Sequence, residues 1–175
     1  MSEVIPYLQM LSDTYKSMGS TRTMYDILLA HGRHFTPAKR PSKVPKMKIK
    51  ECYANATRLA LSYSNLTYCE GFALYAGLFP VQHAWVVGDN GVVIDPTWSP
   101  VGVEYFGIPF DEEYLLSAMK KSNYYGIMDN FQWREFIEHT AEQFIYKGSI
   151  ENASSPKESQ PHQASAINFT GGFVI

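Results

Sequence analysis

Cysteine is scarce. The chain has two, Cys52 and Cys69, too few for the disulfide framework that supports small secreted domains. Long apolar runs are missing as well: no stretch approaches the roughly 18 to 20 residues of a membrane span, and the opening MSEVIPYLQMLSD lacks the plan of a signal peptide. The expectation is a cytoplasmic protein without a membrane partner, in which a thiol role is favoured over a structural disulfide. An excess of one charge is also lacking. Fifteen basic against 17 acidic residues leave a formal −2, so nucleic acid is not an expected partner. The one basic stretch, Lys39, Arg40, Lys43, Lys46, Lys48 and Lys50, is interrupted by Pro41 and Pro45 and reads as a solvated loop. His31, His34, His139 and His162 are scattered without ligand spacing, so neither a metal nor a cofactor is expected. No internal repeat is visible.

Aromatic residues are abundant. Twelve Tyr, ten Phe and three Trp among 175 residues suit one domain with a ring-rich core and cleft. Residues 3–32 carry helical periodicity in two runs separated by Gly19, Ser20 and Thr21, which predicts two helices or one broken helix. Residues 32–45 read as a surface connection rich in proline and basic residues. In residues 51–63, Cys52, Ala56, Leu59, Ala60 and Tyr63 recur every three or four positions and lay one stripe along a helix. Three β-prone segments follow at 66–74, 82–87 and 92–95, the last two joined by an Asp89–Gly91 hairpin turn. SPVGVEYFGIPF, from Ser99, reads as loop. Residues 111–121 form a helix, acidic at its start and basic at its end, with Asp111 as its cap. A further helix is expected over 130–147. Residues 148–175 read as a flexible tail, poor in large apolar residues through 166 and apolar again in INFTGGFVI. The resulting expectation is one α+β domain over 1–147, with its core at about 46–110 and a helix feeding an antiparallel sheet.

The chemistry concentrates in that core. A cysteine attacks a carbonyl as thiolate, a state favoured at a helix N-terminus beside an imidazole that takes the proton. Cys52 stands in the first turn of its helix. The imidazole needs a third group to fix its tautomer, and His83 and Asp95 suit these roles. His83 opens one strand and Asp95 closes the next, twelve residues on, so a tight turn sets the two side by side. The order Cys, His, Asp and the stretches ECYANATRLA, EGFA (Glu70–Ala73), HAWVV (His83–Val87) and DPTW (Asp95–Trp98) resemble the transglutaminase-like superfamily of papain-related cysteine enzymes. The resemblance covers roughly residues 50–98. It implies a nucleophile helix packed on an antiparallel sheet, Cys52 as nucleophile, His83 as general base and acid, and Asp95 as orienter. Glu51 departs from the pattern, because many relatives have glycine there.

Each residue also has a plainer reading. An isolated cysteine is commonly a small buried hydrophobe, as expected for Cys69. A lone histidine can be a satisfied core residue, and an aspartate before proline a turn former. Trp85 shares a strand face with His83 and is read as core. Glu70 reads by default as an exposed strand glutamate, and in the functional reading as a cleft residue that binds a substrate amine. Trp98, Tyr105 and Phe106 follow the triad and are candidate substrate walls. The expected activity is cysteine-dependent hydrolysis or acyl transfer at an amide or peptide-like bond, on a peptide, protein or small amide. Two alternatives remain: a catalytically inactive relative that serves as a binding or regulatory protein, and a redox sensor using Cys52 and Cys69.

Overall fold

Residues 67–109 supply a buried sheet, and its burial on both faces explains much of the architecture. The computed structural model describes residues 2–128, 143–148 and 150. Its elements, in chain order, are α1 (Val4–Ser17), α2 (Met24–His31), β1 (Arg33–Phe35), α3 (Cys52–Ser62), β2 (Thr67–Leu74), β3 (Val81–Val87), β4 (Val93–Ile94), β5 (Glu104–Pro109) and α4 (Glu112–Ser122). The strands form one sheet in the order β1-β5-β2-β3-β4, with every neighbouring pair antiparallel.

The sheet curls until its two edges meet. Thr36, just past β1, donates its N–H to Gly91 O at 3.1 Å and accepts from Val93 N at 2.9 Å. Strand alternation therefore separates an inner from an outer face. Cys69, Ala73, Trp85, Val87, Val93 and Tyr105 cluster with Phe35 on the inner face. Tyr68, Phe72, Ala84, Val86, Ile94, Phe106 and Ile108 face outward, into the cluster that the helices complete.

The helices form where local chemistry directs them. Thr23 and Asp26 close a reciprocal capping box at the start of α2. Asp111 accepts from Glu113 N and Tyr114 N at the start of α4, and Asn123 ends that helix in the left-handed region. α3 lays Ala56, Leu59 and Ala60 against β3, which sets its N-terminal end beside the start of that strand. Val4, Leu8, Ile27 and Leu28 join the same cluster, so the core reaches upstream of residue 46.

Two expectations need correction. The surface connection at 32–45 contains β1, and the loop expected after Pro96 contains β5, which lies between β1 and β2. β5 is buried like its neighbours, but Gly107 and Pro109 within EYFGIP, and Pro100 and Gly102 just before it, give the stretch the composition of a loop. The helix expected over 130–147 falls largely outside the described residues, as does the tail from 148 onward apart from Gly148 and Ile150. Among the described residues no helix is long and apolar enough to cross a membrane.

Glycine is required where β2 and β5 cross closely. Gly71 and Gly107 are register partners, and a Cβ on Gly107 would meet the Glu70 carbonyl and come within 2.7 Å of Trp85 Cη2. Gly107→Ala is expected to lower unfolding stability by about 2–3 kcal/mol, read as a fall in urea midpoint with an unchanged m-value.

Candidate active site

The lip of the curled sheet is where β4 ends. Pairing of β3 with β4 stops at Val86–Ile94, so the chain peels away at Asp95 and leaves the first half of β3, with His83, without a strand partner on the β4 side. His83 Nε2 donates to Asp95 Oδ2 at 2.8 Å, and both side chains are buried. Because Nε2 is committed to the carboxylate, Nδ1 is the nitrogen left for another partner. Cys52, partly buried in the first turn of α3, interacts with this imidazole.

Asp95 is saturated. Its Oδ1 accepts from Thr97 N at 2.8 Å and Trp98 N at 3.0 Å, and Oδ2 accepts from Tyr105 OH at 2.7 Å as well as from His83. Burial alone would raise its pKa, but the hydrogen bonds from His83, Trp98 and Tyr105 and the imidazole charge hold it below the ordinary carboxylate value. Burial likewise opposes charge on His83. Hydrogen bonds to Asp95 and Cys52, with their charges, outweigh it and push the His83 pKa up to about 9.

Trp98 stacks on the imidazole, with ring centroids 4.0 Å apart and an 18° interplanar angle, and meets Tyr75 edge-on. This contact holds the imidazole ring in orientation. Trp85 lies one strand position further in, fully buried among Phe35 and Tyr105, in keeping with a core role.

Three of the expected substrate residues do not line a cleft. Tyr105 is fully buried; its hydroxyl accepts from Gly102 N and donates to Asp95, so it positions the carboxylate. Burial and the neighbouring Asp95 charge push its pKa up. Glu70 is neither an exposed strand residue nor a free cleft carboxylate. It is buried and accepts from Tyr68 OH at 2.7 Å, Ile127 N at 2.5 Å and Met128 N at 2.8 Å, which fastens a downstream segment to β2. Phe106 packs on the outer face beneath His34.

Asn55 was not singled out in the sequence. Its buried amide donates to Thr97 Oγ1 at 3.0 Å and to Lys48 O at 2.7 Å, tying α3 to the Asp95 turn. An amide on the buried stripe of α3, three residues after Cys52, was the available clue. Cys69 is buried on the inner face, where burial pushes its thiol pKa up. Among the described residues no group of His, Cys, Asp and Glu is set to hold a metal.

No protein-family model matches the chain, and neither a curated protein nor a solved structure matches it.

The raised His83 pKa fixes a pH dependence of stability. The folded state binds the imidazole proton more tightly than the unfolded chain, so this contribution is complete below about pH 6.5 and lost as pH rises through about 9. Chemical denaturation should show wild type weakening across that window and His83→Gln staying nearly flat. Tyr105→Phe removes one partner of a buried carboxylate and should lower stability by about 1–3 kcal/mol in the same assay.

Proposed function

We propose that this chain is a cysteine hydrolase or acyltransferase of papain- or transglutaminase-like type, acting on an amide or peptide-like bond through a thioester on Cys52. The observation that carries the reading is the buried His83–Asp95 pair, 2.8 Å apart, beside the thiol at the start of α3. Nδ1 of His83 accepts the Cys52 proton, and the thiolate attacks the acyl carbon. The imidazolium, favoured by Asp95, supports the thiolate and then protonates the leaving amine.

The tetrahedral oxyanion that forms lies at the α3 N-terminus. The N-cap residue Glu51 makes no side-chain cap hydrogen bond, which leaves the backbone N–H of Cys52 to meet the developing charge. Asp95 keeps the proton on Nε2 and the ring in orientation. Collapse expels the amine and leaves the thioester. His83 then takes a proton from water, the hydroxide attacks the thioester carbon, and the Cys52 thiol is restored. Glu70, the carboxylate considered for holding an acceptor amine, is committed to Tyr68, Ile127 and Met128, which favours water as acceptor.

Wild type and Cys52→Ala incubated with a pool of amide and peptide donors, with and without a primary amine, should differ in intact mass. An acyl adduct is expected on Cys52 and absent in the variant. His83→Ala should slow both its formation and iodoacetamide labelling of Cys52 by about 10²–10⁴-fold. A folded wild type that forms no adduct and labels no faster than a free thiol would move the reading to a non-catalytic binding protein.

A further inference from the structure

The basic stretch before Cys52 is built into the rim of the site. Val44 is buried in the core, Met47 N donates to Pro96 O at 2.7 Å beside Asp95, and Lys48 O accepts from Asn55. The backbone is thus fastened at three points, and its lysines are turned outward. Lys50 stands in the left-handed region, φ 66°, at the corner where this segment enters α3. Lys39, Lys43, Lys46 and Lys50 are exposed and make no ion pair among the described residues, while Glu51 is taken by Lys48 and Arg58. In a chain of net charge −2, this is a local concentration of positive charge on the segment that leads into α3.

The turn between β2 and β3 exposes apolar side chains. Leu78 and Phe79, in the turn between β2 and β3, are 59% and 65% exposed. Tyr75 of the same turn packs on Trp98, which stacks on His83. A lysine-bearing segment thus leads into the helix of Cys52, and an exposed apolar turn adjoins, through Tyr75, the Trp98 ring that stacks on His83.

We infer that the substrate presented to Cys52 is an acidic peptide segment, whose carboxylates meet the lysine rim and whose apolar residue rests on the Leu78–Phe79 turn. This rests on the acyl-transfer reading of the site and adds its substrate class. Lysines on a short strap suit a few dispersed carboxylates, and the apolar turn gives a nucleic acid backbone nothing to bind.

Fluorescence anisotropy with wild type tests it, using a fluorescein-labelled peptide of Asp and Glu residues ending in Leu-Phe, its Asn/Gln counterpart, and a single-stranded DNA oligonucleotide of equal charge. The acidic peptide should bind about tenfold more tightly than the neutral one at low salt, a preference lost near 0.5 M NaCl. It should also slow iodoacetamide labelling of Cys52. The double variant Lys46→Glu/Lys50→Glu should abolish the preference while melting as wild type does; should it not fold, the peptide and salt comparisons decide alone.

Equal binding of the two peptides, a preference that survives high salt or charge reversal in the folded variant, or no protection of Cys52 would overturn the inference. Tighter binding of the oligonucleotide would replace the peptide with a nucleic acid. Anisotropy reads binding without turnover. An absent acyl adduct with intact peptide preference therefore removes the covalent reading alone, and an adduct without preference removes this inference alone.

Discussion

A carboxylate sealed from water is tolerable only if its oxygens are satisfied, and Asp95 meets that condition from three directions. Its own turn supplies Thr97 N and Trp98 N, β3 supplies His83, and β5 supplies Tyr105. That single charge fixes where β4 ends, which nitrogen of His83 holds the proton, and how Tyr105 is set within the inner face. Asn55 extends the network to α3 through Thr97. The thiol, the imidazole and the carboxylate thus belong to elements locked together by polar contacts, while apolar packing supplies most of the remaining cohesion.

The curl of the sheet gives this network its place. With Thr36 joining the two edges, the inner face is filled by Trp85, Tyr105 and Phe35, and the helices cover the outer face. α3 is an outer-face helix, whereas His83 and Asp95 project inward by strand parity. The two meet because β4 is only two residues long and the sheet has a gap just beyond it. A longer β4 would have paired the first half of β3 and separated the thiol from the imidazole.

Much of this was legible in the sequence, for identifiable reasons. α3 and α4 carry clean helical periodicities, β2 and β3 are β-prone runs, and the Asp89–Gly91 turn sets His83 and Asp95 against each other, so helix, hairpin and polar pair could be read locally. β5 could not, because Gly107 and Pro109 within it and Pro100 and Gly102 just before it give the stretch the composition of a loop. With β5 unseen, Tyr105 read as a loop residue on a cleft wall, when its hydroxyl completes Asp95. Glu70 misled for a different reason. A glutamate in a strand reads as exposed, and its partners, the N–H groups of Ile127 and Met128, are 57 and 58 residues away. Asn55 was hidden because a polar residue on a buried stripe reveals its partner only once the Asp95 turn is placed.

The division between a filled interior and an outlying rim has a consequence for how such a chain can diverge. The groups that hold the polar pair are wedged among aromatic rings or tied to backbone, so substitutions there propagate into the fold. The exposed lysines of residues 39–50, and Leu78 and Phe79 in the turn after β2, stand clear of that interior. A lineage built on this architecture could exchange those side chains and present a different surface while inheriting an unaltered polar pair.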